Sequence, residues 1–282
     1  MVGDTHTMVI RSGRSRFTLQ TLPDSDFPDL AAGDMSHSFS VGAKDLHRLI
    51  DKTQFAISTE ETRYYLNGIY FHTIDVMGHT MLRAVATDGH RLARVETDAP
   101  QGSAGMPGII VPRKTVHELH RLIEDSEATI SVGVSAAKVR FEIGPITLVS
   151  KLIDGSFPDY QRVIPQSNDK VMKVSNAQFM SAVDRVSTIA SERGRAVKLA
   201  IGPEKLVLSV TNPDGGSATE ELAVEYKHPA IEIGFNARYL LDISGQVESD
   251  TLQFLFADPG SPTMVRDGGN ERALYVLMPM RL

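Results

Sequence analysis

Short stretches in which apolar and polar residues alternate make up most of the chain. Alternation with a period of two, bounded by clusters of Gly, Pro, Asn and Asp, predicts β-strands. The predicted strands are Met8–Ile10, Phe17–Leu22, Ile69–Thr73, Met81–Thr87, Arg91–Thr97, Ile130–Val134, Val139–Ile143, Ile146–Leu152, Leu206–Val210, Ala218–Tyr226, Ile231–Phe235, Thr251–Phe256, Pro262–Arg266 and Ala273–Met278. Their regular spacing favours antiparallel sheets.

A few segments instead repeat their apolar residues at three- and four-residue spacing, which predicts amphipathic helices. These helices are Lys44–Ile57, Arg113–Glu124, Ala177–Ala190 and Ala237–Ser244. Together with the strands, they predict an α+β protein.

Three short motifs occur twice in the same order, which indicates an internal duplication. The matching pairs are Phe27–Leu30 with Phe157–Tyr160, Val41–Lys44 with Val174–Ala177, and Ile110–Arg113 with Ile233–Asn236. We interpret the chain as two copies of a domain with two helices and many strands, at residues 36–165 and 166–282. Residues 1–35 then resemble the end of a third copy whose beginning is absent.

The composition is that of a globular protein with an acidic balance. The chain has 282 residues, 29 Lys and Arg against 35 Asp and Glu, and a net charge of −6. It contains no Cys, so it offers no disulfide or thiolate site. No signal peptide or membrane span is evident in the sequence, and a cytoplasmic location is expected. A DNA-binding role would need the positive charge concentrated on one surface.

Cations are grouped on two of the predicted helices. Lys44, Arg48 and Lys52 recur at every fourth position of the first helix, which stacks them along one exposed face. The second helix starts at Arg113 and carries further cations, Lys114 and Arg121 among them. Two cationic faces in an acidic protein favour a surface that faces DNA, whereas each face taken alone is better explained by solvation.

Aromatic residues beside a cation give a further candidate for contact with nucleic acid. Tyr64 and Tyr65 follow Arg63, a combination suited to phosphate contact and base stacking. The end of an amphipathic strand has the same composition, so this alternative stays open.

Catalytic motifs are not evident in the sequence. Asp88 and His90 suggest an acid–base pair, but Asp88-Gly89 is more typical of a hairpin turn between two predicted strands. The sequence shows no phosphate-binding loop, dinucleotide fingerprint or nucleophile elbow, and its histidines lack metal-ligand spacing. We therefore expect a protein that is not an enzyme and needs neither a cofactor nor a metal.

Small residues, aliphatics, Met and Arg are combined in several separate segments, and this mixture is typical of a groove for partner peptides. Met repacks readily around different partner sequences, and Arg binds peptide carbonyl or carboxylate groups. The chain ends on such a segment, Val276–Leu282. Ordinary core packing remains the alternative for Leu66, Leu92 and Val163 taken singly.

Six motifs, in their joint order, resemble the bacterial DNA polymerase III β subunits, the sliding clamps. The motifs are Tyr64–Gly68, Ala86–Ala93, Val111–Lys114, Phe157–Pro165, Ile233–Asn236 and Tyr275–Leu282. The resemblance implies the DNA-clamp fold, in which repeated domains of two helices pack on antiparallel sheets, and a head-to-tail homodimer that closes around double-stranded DNA. It implies a processivity factor whose partners are the DNA polymerase III catalytic subunit, the clamp loader, repair polymerases, mismatch repair proteins and ligase.

The resemblance also assigns roles to individual residues. A partner peptide would bind between clamp domains two and three, at Leu66, Thr87, Gly89, His90, Arg91, Leu92, Pro158, Arg162, Val163, Val276, Met278, Pro279, Met280 and Arg281. The DNA-proximal residues would be Arg63, Tyr64, Tyr65, Arg113 and Lys114, joined by the helix cations Lys44, Arg48, Lys52 and Arg121.

The chain departs from the family in its first domain. Residues 1–35 resemble only the closing strands of that domain. Because the ring joint of the family pairs the first domain of one subunit with the third domain of the other, we expect this chain not to close the usual ring. The alternative function is a stand-alone interaction module that binds clamp-binding motifs without encircling DNA.

Overall fold

The four predicted helices all occur in the computed structural model, which describes residues 2–3, 7–26, 33–190 and 195–281. They are α1 (Ala43–Gln54), α2 (Arg113–Ile123), α3 (Asn176–Ser187) and α4 (Ala237–Ser244). Backbone contacts divide the chain into two units, Met1–Gly33 and Asp34–Leu282.

The first unit contains a small antiparallel sheet. Its strands are β1 (Val2–Gly3), β2 (Thr7–Ser12) and β3 (Ser15–Gln20), in the order β1-β2-β3. A short 3-10 helix, Asp24–Asp26, follows. The first of the repeated Phe-Pro-Asp motifs, Phe27–Leu30, lies outside the described residues.

The described residues of the second unit form three antiparallel sheets. Its strands are β4 (His37–Gly42), β5 (Gly68–Val76), β6 (His79–Thr87), β7 (Arg91–Asp98), β8 (Ile109–Pro112), β9 (Thr129–Val134), β10 (Lys138–Ile143), β11 (Ile146–Lys151), β12 (Lys170–Ser175), β13 (Ala196–Gly202), β14 (Lys205–Asn212), β15 (Gly216–Ala223), β16 (Glu225–Tyr226), β17 (Ile231–Asn236), β18 (Thr251–Phe256), β19 (Thr263–Asp267) and β20 (Asn270–Leu277). Two sheets have four strands, in the orders β11-β10-β9-β4 and β15-β14-β13-β17. The third has nine strands, in the order β16-β12-β18-β19-β20-β7-β6-β5-β8.

The elements occur in the same order twice. A strand and a helix, several strands, a second helix and three closing strands run from β4 to β11 and again from β12 to β20, with β16 as an addition. The two halves share the nine-stranded sheet, because β7 pairs with β20 at Ala93↔Tyr275 and Leu92↔Val276. The domain boundary at residue 165 stays a prediction.

The strand period of two divides the large sheet into two faces. One face, with Ala93, Val95 and Tyr275, belongs to the main hydrophobic core beneath the helices. The opposite face, with Leu92 and Val276, belongs to a second core cluster that the segment after β11 covers. The helices bury the apolar positions that their periodicity indicates, such as Leu49 of α1 and Leu119 of α2, which are 0% and 1% exposed. The fold is therefore α+β, as predicted.

The predicted elements differ from the observed ones at several places. The prediction Ala218–Tyr226 covers two strands, because β16 leaves the β15 hairpin and pairs with β12. The strands β1, β4, β8, β12 and β13 were not predicted. Within the described part of the chain, no helix is long and apolar enough to cross a membrane.

Candidate peptide groove

The turn between β6 and β7 is built by its own side chains. Asp88 Oδ1 accepts hydrogen bonds from the backbone N–H groups of His90 and Arg91, at 2.9 and 3.0 Å. Thr87 Oγ1 donates to the Arg91 carbonyl at 2.7 Å and accepts from the N–H of Gly89 at 3.1 Å. The Asp88 carboxylate thus closes a hairpin turn, as the Asp-Gly pair predicts.

Gly89 gives this turn its shape. Its φ of +90° lies in the left-handed region that favours glycine, and a Cβ atom there would lie 2.5 Å from Arg63 Nη1. Arg63 is held in place by Glu60, whose Oε2 accepts from Arg63 Nε at 2.8 Å. The same hydrogen bond holds the pKa of the Glu60 carboxyl below its ordinary value.

A groove with a cavity of about 260 Å³ lies beside the turn, between the two halves of the second unit. Its lining residues are Arg63, Tyr65, Leu66, Thr87, Gly89, Arg91, Leu92, Pro158, Asp159, Tyr160, Val163, Val276 and Met278. We call this cavity the groove, and Pro158–Val163, which forms one side of it, the linker wall. Leu66, Leu92 and Val276 are buried in the floor, whereas Val163 and Met278 are 50% and 40% exposed. The apolar surface of the groove is therefore accessible to a ligand in solution.

Arg91 joins the two halves beneath the groove. Its Nε and Nη1 atoms contact Asp88 and Asp242 carboxylate oxygens at 3.1 and 2.5 Å. Its Nη2 atom donates to the carbonyl of Phe55 at 2.6 Å, and its guanidinium lies 4.3 Å from the ring centroid of Tyr239. Arg91 therefore links residues of the two halves and also lines the groove.

Five residues predicted for the peptide site do not line the groove. They are His90, Arg162, Pro279, Met280 and Arg281. His90 lines a neighbouring polar cleft of about 610 Å³, and its carbonyl accepts from the N–H of Met278 at 2.9 Å. The exposed Arg162 pairs with Asp159 at 2.8 Å. The N–H of Met280 donates to the carbonyl of Gly234 at 2.8 Å, which extends the pairing at the chain end.

Some of the predicted DNA-proximal residues lie together. Tyr64, Arg113 and Lys114 line an open depression of about 630 Å³, and all three are exposed. Arg63 and Tyr65 instead line the groove. The exposed cations Lys44 and Arg121 pair with Glu127 and Glu118.

The prediction of three exposed cations along α1 is wrong. Lys52 is only 3% exposed, and its Nζ contacts the carbonyl of Gln246 at 2.6 Å and Glu248 Oε1 at 2.9 Å. Arg48 is half-buried and donates to the carbonyl of Glu96 at 3.0 Å. The reason is that α1 packs along β7 and against the loop after α4, so one side of the cationic row faces protein.

Comparisons with known proteins agree with this architecture. Residues 40–159 match the family described as DNA polymerase III beta subunit, central domain, and residues 161–281 match its C-terminal domain. The beta sliding clamp of Caulobacter vibrioides is 54% identical over 280 residues, which cover 99% of this chain and 75% of that protein. This chain belongs to the DNA polymerase III β subunit family of sliding clamps.

Solved clamp structures extend the similarity to three dimensions. The Bartonella birtlesii clamp bound to griselimycin has a TM-score of 0.93 and 52% identity, with 99% of this chain and 75% of that chain covered. A Pseudomonas aeruginosa clamp has a TM-score of 0.92 and 39% identity, with 100% and 76% covered. The family gives the chain the function of a DNA sliding clamp, and the alternative of a stand-alone interaction module is not favoured.

The sequence did not identify every residue that lines the groove of this clamp. Asp159 and Tyr160 were missed, although both belong to the Phe157–Pro165 motif. Tyr160 could have been identified because it lies in the sequence between two predicted groove residues, Pro158 and Val163. An aromatic residue in that position is, however, equally typical of a hydrophobic core. The described residues contain no group of three or more His, Cys, Asp or Glu side chains that could hold a metal ion.

Proposed function

We propose that the groove is the site at which this clamp binds a short peptide motif of its partner proteins. The observation that carries the proposal is an apolar floor that opens to solvent between two exposed apolar side chains, Val163 and Met278. Apolar surface placed in a concave site is typical of peptide and small-molecule binding. The clamp of Bartonella birtlesii, 52% identical, has been solved bound to griselimycin, and we propose this compound as a ligand of the groove.

The partners that we propose are those of the family. They are the DNA polymerase III catalytic subunit, the clamp loader, repair polymerases, mismatch repair proteins and ligase. The clamp would hold each of them on DNA in the cytoplasm without catalysing a reaction itself. Duplex DNA would contact the depression that contains Arg113 and Lys114, where Tyr64 adds an exposed aromatic ring.

A titration with griselimycin tests the groove directly. In isothermal titration calorimetry, Val163→Asp should weaken binding more than tenfold, because it places a charge on the apolar rim. Met77→Asp is the matched control, since Met77 is 98% exposed and does not line the groove. Deleting Met278–Leu282 should abolish binding. Equal affinity in wild type, Val163→Asp and the deletion variant would overturn the assignment.

Retention on DNA separates a clamp from a module that only binds peptides. A clamp that closes around DNA remains on a nicked circular duplex in high salt and leaves when the circle is linearised, because a topological link does not depend on phosphate contacts. A dimer in solution that is retained on the circle in this way would support the clamp function. A monomer that binds griselimycin and is never retained on circular DNA would favour the stand-alone module.

A further inference from the structure

Tyr160 lies at the centre of the linker wall and connects the groove to the sheet below it. Its side chain is 5% exposed and packs in the second core cluster with Val85, Leu92 and Val276. The same residue lines the groove, three positions before Val163. The position of Tyr160 therefore determines where the wall stands above the apolar floor.

Two side chains of the sheet hold the Tyr160 hydroxyl. Arg83 Nη1 donates to the hydroxyl oxygen at 2.9 Å, and His72 Nε2 lies 3.0 Å from it. Arg83 is itself fixed by Glu96, whose Oε2 lies 2.8 Å from Nε and 2.6 Å from Nη2. The side chains of this ion pair are 7% and 12% exposed, so the contact lies inside the protein.

The hydrogen-bond pattern specifies where the protons are. His72 Nδ1 lies 3.2 Å from the carbonyl of Thr73, which can only accept, so Nδ1 carries the hydrogen of the neutral ring. Its Nε2 atom is then an acceptor. The Tyr160 hydroxyl therefore accepts from Arg83 and donates to His72.

We propose that Tyr160 is the positioning residue of the groove, and that Arg83 and His72 hold its hydroxyl so that the linker wall keeps the shape that binds a peptide. The inference rests on the proposed peptide-binding function. Apparent affinity falls with the fraction of protein whose site is competent to bind, so a wall that leaves this position weakens binding without a lost contact to the ligand. Neither Arg83 nor His72 lines the groove.

Acid should release this contact. A protonated His72 would present a second N–H to the hydroxyl and leave the Tyr160 proton without an acceptor. The groups that face His72 are Tyr70 on its own strand, Arg83 on β6, Glu96 on β7 and Tyr160 on the linker wall. Burial lowers the pKa of His72, so its ring is neutral at pH 7 and becomes charged only below its ordinary range.

The experiment is a griselimycin titration of the full chain between pH 5 and pH 8. Wild type should bind with constant affinity in the upper part of this range and more weakly in acid. Tyr160→Phe should bind about fivefold more weakly at pH 7.5, the factor that one net hydrogen bond typically contributes, and should lose the acid-dependent weakening. His72→Gln keeps an amide oxygen as acceptor but cannot titrate, so it should retain neutral affinity and also lose the weakening.

Tyr70→Phe is the matched control. Tyr70 stacks on Phe157 with ring centroids 4.8 Å apart, in the same aromatic cluster, and does not line the groove. It should bind as wild type does. Equal affinity and an equal pH profile in wild type and Tyr160→Phe would overturn the inference, and so would equal weakening in Tyr160→Phe and Tyr70→Phe. A wild-type protein that does not bind griselimycin at any pH would instead refute the proposed function.

Discussion

Gly89 and Arg63 meet at the mouth of the groove, where backbone conformation and side-chain space both exclude a larger residue. We predict that Gly89→Ala lowers the free energy of unfolding by about 1–3 kcal/mol, because Ala is strained at a φ of +90°. The new methyl group would also displace Arg63 from the groove lining. Griselimycin affinity should therefore fall together with stability, as measured by urea unfolding and calorimetric titration.

Gly78 separates these two effects. It has a φ of +83°, and a Cβ atom there would meet nothing within 4 Å. Gly78→Ala should show similar backbone strain in urea unfolding and leave ligand affinity unchanged. The interpretation of the Gly89 site would be wrong if both variants lost affinity to the same degree.

Side chains divide into those whose role the sequence predicts and those whose role depends on distant partners. Asp88 and Gly89 form the predicted turn because all the contacts that define it are local. Arg91, which was expected to bind a peptide and lines the groove, also contacts Asp242 and Phe55, and neither residue is near in sequence. No pattern in the chain indicates which acidic residue will reach a given cation.

The helices show how accurately the spacing of apolar residues predicts where a helix begins and ends. Predicted α1 and α3 begin one residue late and continue three residues too far, whereas predicted α4 has the observed bounds. The unpredicted strand β4 alternates the polar residues Ser38 and Ser40 with the buried Phe39 and Val41, and it pairs with β9, far along the chain. Strand pairing across such distances is absent from local sequence patterns.

Substitution of Lys52 tests whether this buried cation stabilises the contact between α1 and the loop after α4. Lys52→Ala should lower the free energy of unfolding by about 2 kcal/mol, because it leaves the Gln246 carbonyl unpaired and removes a buried stem. Lys44→Ala, on the same helix, should change it by less than about 0.5 kcal/mol, since the Lys44–Glu127 pair is exposed. Equal effects in urea unfolding would contradict the structural role of Lys52.

The continuous nine-stranded sheet connects the two halves of Asp34–Leu282 into one structural unit. β7 belongs to the first half and β20 to the second, and their pairing lies in the middle of the strand order. The groove is built across this seam, with Leu92 on one side and Val276 on the other. Its shape therefore depends on the halves remaining paired, and folding of the unit is coupled to formation of the site.

Arg91 and Arg238 allow a direct measurement of this coupling, because both contact Asp242 Oδ2, at 2.5 and 3.8 Å. Arg91 is 9% exposed, whereas the Arg238 side chain is 69% exposed. Arg91→Gln should lower the free energy of unfolding by about 3 kcal/mol, because it leaves two partly buried carboxylates and a carbonyl without their cation. Arg238→Gln should have almost no effect, since exposed pairs contribute little.

Calorimetry shows whether the seam also sets the cooperativity of unfolding. The wild-type second unit should unfold in one transition, with equal calorimetric and van't Hoff enthalpies, because its halves share a sheet. In Arg91→Gln the junction is weaker, and the van't Hoff enthalpy should fall below the calorimetric value as the halves begin to unfold separately. Two separate transitions in wild type, or an Arg238→Gln variant as unstable as Arg91→Gln, would show that the halves are held together by something other than this junction.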